Sequence, residues 1–307
     1  MLTDVNFELE KNLEHGANFH QIAQLYRAQT QLEYEVLSDK QLSYNDIMDL
    51  KIALDLTSEF YDVNAAVIVK LGMPCAVALG SDCLEAVQKA IDCDPISIFN
   101  STIMFSGTVD ENIASLIRKL EFNALVALDY TDKALEMLKN TSKIVRVKTP
   151  LDRYKKFENI EINMTPLGAL VQSQDKKELD KDSFNVVSKT KPTAEMVEDA
   201  VFAWKVAKHA KSQAVVIAKD FKTLAICQGN TNMVNAVERA LDFACNESKD
   251  AILATDGQIH SVESINAAVQ GRVGVIIQTG GDSKNIIDAA DKYNIVMINT
   301  GISHIKY

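Results

Sequence analysis

The sequence has 307 residues, 47% hydrophobic and 24% charged, enough to bury a large core as one domain or two moderate ones. A formal net charge of −10 argues against nucleic acid as the main partner, because phosphate backbones select basic surfaces. The opening MLTDVNFELEKNLEHG lacks the basic and apolar stretches of a secretory signal, and no run of about 18 apolar residues could cross a bilayer. A cytoplasmic protein without a membrane partner is expected.

The first buried strand is expected at 65–69, where Ala65-Ala66-Val67-Ile68-Val69 ends in Lys70. A second apolar stretch follows at once, then a helical pattern, LEAVQKAI, at 84–91 and a strand, NALVAL, at 123–128. Residues 173–193 are charged and weakly periodic, and read as a surface connection. Beyond it come a helix at 197–211, a strand at 214–218, a helix at 233–245, and strands at 273–277 and 295–298. Strands alternating with helices predict a layered α/β fold.

The halves also resemble each other. AVIVKLGMPCAVALG followed by EAVQKAIDCD aligns with VVIAKDFKTLAICQG followed by NAVERALDFA, placing Lys70 on Lys219 and Ala86 on Ala236. This pattern predicts an internal duplication, with domains at 1–180 and 181–307. The five cysteines (Cys75, Cys83, Cys93, Cys227 and Cys245) lack metal-ligand spacing, and no metal is expected. All read as free core thiols; Cys75, after a proline in a loop, is the one candidate nucleophile.

Four segments have the residues for chemistry, and each has a plain structural reading beside it. Lys70 at a strand end is a reactive amine or a snorkelling surface charge. In KVAKHAKS (205–212), Lys208, His209 and Lys211 either complement a helix C-terminus or form an anion or proton-transfer site. QTGGDS (278–283) is an anion-holding loop or a turn. In ATDGQIHSVESI (254–265), Asp256, His260 and Glu263 follow a strand, with Asp256 alternatively capping the next helix.

In this order these segments resemble the transformylase half of the bifunctional purine enzyme that formylates 5-aminoimidazole-4-carboxamide ribonucleotide (AICAR) and cyclises it to IMP. LSYNDIMDL (42–50) is similar to the family's LSYNN helix start, AVIVKLGMPCAVA to its VKHxNPCGVA loop, and DPISIF (94–99) to its DPxSAFGG segment. PLGALVQSQD (166–175), KPTAEMVEDAVFAWKVAKHAKSQAVVIAKD (191–220) and the C-terminal VGVIIQTGGDSKNIIDAADKYNIVMINTGISH match further family segments. The resemblance implies two tandem cytidine-deaminase-like three-layer subdomains, a homodimer with active sites at its interface, and 10-formyltetrahydrofolate as donor. IMP cyclisation is not expected, since the resemblance is to the transformylase half.

Carried over residue by residue, it implies Lys70 and His209 as catalytic residues. Asn18, Asn45, Lys211, Gln213 and Asn232 would bind the acceptor, and Phe99, Asp256 and Glu263 the folate. Departures cluster in the pocket. The catalytic histidine beside the family's lysine is Leu71, which can neither accept nor donate a proton. The family's Arg-Tyr-Gly segment is Glu14-His15-Gly16, and two further arginines become Met233 and Ser303. Each Arg–phosphate contact contributes roughly 1.5–3 kcal/mol, so a phosphorylated acceptor would need other cations, with Lys208, Lys211, Lys284 and Lys306 as candidates. Three functions stay open: an AICAR-type formyltransferase, a formyltransferase with a different acceptor, and a non-catalytic binding or regulatory paralogue.

Overall fold

The computed structural model describes residues 7–27, 32–158, 160–179, 184–281 and 283–307. An antiparallel ribbon of β1 (Glu8–Asn12) and β2 (Gln24–Arg27) comes first. It is followed by β3 (Tyr34–Val36), α1 (Tyr44–Ser58), β4 (Asn64–Lys70), β5 (Met73–Gly80), α2 (Cys83–Cys93) and β6 (Thr102–Phe105). The chain continues through β7 (Thr108–Val109), α3 (Glu111–Ile117), β8 (Ala124–Ala127), β9 (Asp129–Tyr130), α4 (Asp132–Leu138), β10 (Lys143–Val147) and α5 (Leu151–Lys155). A second ribbon, β11 (Ile160–Thr165) and β12 (Gly168–Ser173), leads to β13 (Asn185–Val186), α6 (Ala194–Lys208), β14 (Val215–Lys219) and β15 (Lys222–Cys227). The last elements are α7 (Met233–Ala244), β16 (Ile252–Thr255), α8 (Val262–Gln270), β17 (Val275–Gln278), α9 (Lys284–Lys292) and β18 (Val296–Asn299).

Among the described residues, twelve strands form one mixed sheet in the order β13-β18-β17-β16-β14-β15-β5-β4-β6-β8-β10-β3. Read inward from either edge, the pattern is the same. An antiparallel edge strand is followed by three parallel strands (β10, β8 and β6, or β18, β17 and β16) and then by an antiparallel hairpin (β4–β5 or β14–β15). The halves join where β5 meets β15, with Ala78 opposite Lys222. Thr223 completes the seam: its hydroxyl accepts from the Val77 amide at 3.0 Å and donates to the Val77 carbonyl at 3.1 Å.

The period-two alternation of a strand divides the core into layers. Val67 and Val69 face a single core that runs under both halves and takes Leu50 and Leu54 from α1 and Phe202 and Trp204 from α6. Ala66 and Ile68 face the opposite side, where α2, α3 and α4 cover the first half. Helices α7, α8 and α9 cover that same side of the second half. Both faces of β4 being buried explains why 65–69 reads as an unbroken apolar run.

The expected elements are present, with shifted ends. The helix expected at 197–211 begins at Ala194, because the Thr193 side chain accepts from the Met196 amide, and it ends at Lys208 with His209 as its cap. Helix α1 starts on a reciprocal capping box between Ser43 and Asp46. The short runs TIMF and KIVRV, which became β6 and β10, gave too few residues to stand out from their surroundings. Segment 173–193 is more than a surface connection. Gln174 donates to Asp55 at 3.1 Å, Lys176 donates to the Lys155 carbonyl at 3.0 Å, and Asn185–Val186 pairs with β18. Glu178 pairs with Lys155 at 3.0 Å, and Asp175 with the His304 ring. The expected domain boundary at 180/181 lies outside the described residues.

Candidate functional site

Strand directions bring five chain segments to one edge of the sheet. Strands β4 and β14 are antiparallel through β5 and β15, so the end of β4 lies on the same edge as the start of β14. Strands β16, β17 and β18 end on that edge too. It therefore collects Lys70, Ser212–Gln213, Asp256 and the loops after Gln278 and Asn299. Crevices at such strand ends are where α/β folds place ligands.

Lys70 closes β4, and its Nζ lies 5.8 Å from the centroid of the Phe99 ring, which is half exposed. An ammonium at that distance from an aromatic face is attracted by the ring quadrupole. Two expected site residues are thereby brought together. Leu71 and Gly72 form the turn, with φ of 53° and 71°, and the Leu71 side chain is 67% exposed. Asp49, buried in α1, accepts from the Gly72 amide at 2.6 Å and from the Leu71 amide. Burial pushes the Asp49 carboxyl up, against the lowering effect of those two amides.

A second group surrounds Asp256. Its carboxylate accepts from the Ser212 hydroxyl and, at 2.7 Å, from the Ala214 amide. The cap of α8 is Ser261, so the capping reading of Asp256 is replaced by one in which it organises the 212–214 loop. Burial raises its carboxyl while these two donors pull it down. The Ser212 amide donates to the Lys306 carbonyl at 3.1 Å, and the Lys306 amide donates to the Ser212 hydroxyl at 2.9 Å. Gln213 bonds Asn230 through its backbone, and its side-chain oxygen is buried with no hydrogen-bond partner among the described residues. Gln228 ties the two groups, donating to the Pro74 carbonyl at 2.9 Å and accepting from the Lys211 amide at 3.2 Å.

The other expected residues are placed less centrally. Asn45, in the first turn of α1, donates to the Ala17 carbonyl at 3.2 Å, beside Asn18, whose amide and side chain bond Gln21. Asn232 caps α7, its oxygen accepting from Val234 and Asn235. Glu263 is exposed in the first turn of α8. Gly280 and Gly281 both have positive φ, and a side chain on Gly280 would press on Asn299.

His209 stands apart from this edge group. Its Nε2 lies 3.2 Å from Glu59, which also receives Lys208 at 2.7 Å and Lys155 at 3.2 Å. Burial, with Lys306 and Lys208 adding to it, outweighs Glu59 and pushes His209 down to about 4. Burial alone would raise Glu59; the bond from His209 and the neighbouring cations hold it far below the carboxylate range. The group lines a polar cavity of about 50 Å³ with Asp55, Tyr154, Gln174 and Asp175. Lys208 is thus the partner of a buried carboxylate rather than a helix-end charge facing solvent. Cys75 is equally unsuited to nucleophilic work, since burial, helped by Asp94, pushes its thiol up to about 12.

Sequence reading missed Asp49, Ser212, Gln228 and Glu59. A signal for Asp49 was present: Asp199 stands at the matching place in the second half and accepts from the Asp220 and Phe221 amides at 2.9 and 2.8 Å. Extending the repeat back into α1 and α6 exposes the pair.

Among the described residues, no helix is long and apolar enough to cross a membrane. Residues 2–242 match the family model described as AICARFT/IMPCHase bienzyme. The chain is 38% identical over 312 residues to the bifunctional purine biosynthesis protein PurH of Caldicellulosiruptor saccharolyticus, covering 99% of this chain and 60% of that protein. The PurH proteins of Thermoanaerobacter sp. and Anoxybacillus flavithermus are 37% and 34% identical, over 98% and 99% of this chain and again 60% of each relative. The chain thus spans about three fifths of the length of the curated relatives it matches. With a matched family model over most of its length, the chain belongs to the AICARFT/IMPCHase bienzyme family.

Proposed function

We propose that the chain is a folate-dependent formyltransferase of the AICAR transformylase type, moving a formyl group from 10-formyltetrahydrofolate to the amine of a purine precursor. The observation that carries this reading is Lys70, set at the end of β4 over the half-exposed Phe99 ring, in a hairpin that Gln228 ties through Pro74 to Lys211. In the reaction the acceptor nitrogen attacks the formyl carbon, the carbon–N10 bond breaks, the acceptor loses a proton and N10 gains one. As an ammonium, Lys70 stabilises the oxygen that becomes anionic in the tetrahedral adduct. Phe99 presents a face to the flat ring of the donor, with Asp256 and Glu263 on the donor side. Asn18, Asn45, Lys211, Gln213 and Asn232 are assigned to the acceptor. His209 is not assigned to the reaction, because its ring is buried against Glu59. With leucine at 71, exposed to solvent, the acceptor proton leaves to water.

One observation favours a different acceptor, without a phosphate. Met233 packs in the apolar core, Ser303 is exposed, and Glu14 brings a carboxylate where the family has an arginine. Among the candidate replacement cations, Lys208 is held by Glu59 and Lys306 is partly buried, which pushes its ammonium pKa down. The experiment is to incubate the protein with AICAR and 10-formyltetrahydrofolate and to measure tetrahydrofolate release against Lys70→Ala. Release that depends on Lys70 supports AICAR as acceptor. Without release, calorimetry separates the rest: folate binding alone points to another acceptor, and binding of neither to a non-catalytic paralogue.

The two six-strand halves are further proposed to be copies of one deaminase-like three-layer unit, 1–180 and 181–307. A cytoplasmic homodimer with active sites at its interface completes the reading. Both ribbons expose apolar side chains that a second copy would cover, among them Phe19 and Ile22 of the first and Met164 and Leu167 of the second. Light scattering at micromolar protein tests the dimer, and a monomer mass overturns it.

A further inference from the structure

We infer that Asp49 is a positioning residue for the Lys70 hairpin; its catalytic consequence rests on the formyltransferase reading above. The two-residue turn Leu71-Gly72 needs positive φ at both positions, the geometry that matches the twist of a β-hairpin. A leucine adopts it reluctantly. Its ring-free, branched side chain is left largely exposed, so packing gives the turn little support. The two turn amides point toward α1 and would be unpaired without Asp49. That carboxylate, 4% exposed, takes the Gly72 amide at 2.6 Å and the Leu71 amide beside it. A rigid helix thus fixes the turn adjoining Lys70, and with it the direction in which the lysine leaves β4. The same side chain fixes the backbone of residue 71, next to Lys70.

The second half supplies a matched control. Asp199 of α6 clamps the Asp220-Phe221 turn at 2.9 and 2.8 Å, both residues again having positive φ, of 53° and 55°. That turn adjoins Lys219, whose Nζ is held by the Lys249 carbonyl at 3.0 Å on the opposite edge of the sheet. One clamp therefore serves the candidate site, and the other serves only the fold.

The test compares Asp49→Asn with Asp199→Asn in the full chain. Asparagine keeps the size of the side chain but offers one acceptor oxygen in place of two. In Asp49→Asn, kcat for formyl transfer falls about 10- to 100-fold with little change in KM, while Asp199→Asn stays within about twofold of wild type. Acetic anhydride labelling, read by mass spectrometry, reports the lysine directly. The Lys70 labelling rate changes by about threefold or more in Asp49→Asn and is unaltered in Asp199→Asn. Unchanged Lys70 labelling in a folded Asp49→Asn overturns the inference. Hydrogen exchange on the wild-type chain needs no variant: the Leu71 and Gly72 amides are protected, and exchange at the rate of an open turn also overturns it. If wild type transfers no formyl group, labelling and exchange still decide the role of Asp49, so failure of the proposed function is seen separately.

Discussion

The two hairpins of the central sheet share a backbone and differ in what they do with a lysine. Both turns have two residues of positive φ, and both are clamped by an aspartate from the helix before them. In the second half Lys219 is tied to a backbone carbonyl, and its ammonium is engaged in the fold. In the first half Lys70 faces an aromatic ring that is open to solvent. The strand ends show the same division. Ser106, after β6, accepts from the Ala65 amide at 2.8 Å, as Asp256, after β16, does from Ala214 at 2.7 Å, but only Asp256 places a carboxylate there. Matching scaffolds thus leave a lysine over an exposed ring and a buried carboxylate at one edge, and closed hydrogen bonds at the other.

The sharpest way to break this contrast is to remove each lysine. Lys70→Ala lowers formyl transfer by about 10² to 10⁴, whereas Lys219→Ala leaves it within about twofold, both read by tetrahydrofolate release. Equal losses would mean that the edges do not differ in function.

The next effect falls where the halves touch. Glu59→Ala leaves Lys208 buried without its partner and destabilises the chain by about 3–5 kcal/mol, measured by urea unfolding. The same group sets an acid dependence. The folded His209 titrates near 4, below the ordinary value of about 6.5, so the unfolded chain takes up its proton first as pH falls. Stability is present above pH 6.5, is lost between there and 4, and continues to fall as Glu59 is forced to protonate. His209→Gln flattens the upper part of that curve; an unchanged urea midpoint between pH 7.5 and 5.5 in wild type would contradict it.

Leu71→His sharpens the comparison by adding chemistry. Histidine tolerates positive φ better than leucine and places a proton acceptor next to Lys70, so kcat rises by about 10²-fold if acid–base help is what is missing. The pH–rate profile then gains a limb near neutrality. The smallest effect is in the helix caps. Ser43→Ala and Thr193→Ala each cost about 1 kcal/mol of stability, with the greater loss at Ser43 because its capping box is reciprocal.

The layered α/β fold was legible because strands such as 65–69 are buried on both faces and so appear as apolar runs, and because Lys70 and Lys219 each end one. That both halves share one sheet was not. The seam runs through Lys222 opposite Ala78 and the Thr223 hydroxyl, and neither residue type advertises pairing across about 150 positions of chain. In the site, Lys70 and Phe99 were found by motif, since both lie in segments with a recognisable order of residues. Asp49 was reachable only by extending the repeat to Asp199, and Glu59 was hidden because burial, not spacing, gives it meaning: an acid in a helix reads as solvent-facing until its partners are known. The surroundings of His209 were hidden for the same reason, its well-matched segment revealing nothing of Glu59 behind it.

The meeting of helix ends has a consequence for how the molecule comes apart. Glu59 closes α1 and His209 closes α6, and each is the other's hydrogen-bond partner over a core continuous beneath both halves. Neither half can loosen without stranding a buried charge belonging to the other. The chain should therefore unfold as one cooperative unit, with a single denaturant transition whose steepness reports the surface of all twelve strands rather than of six.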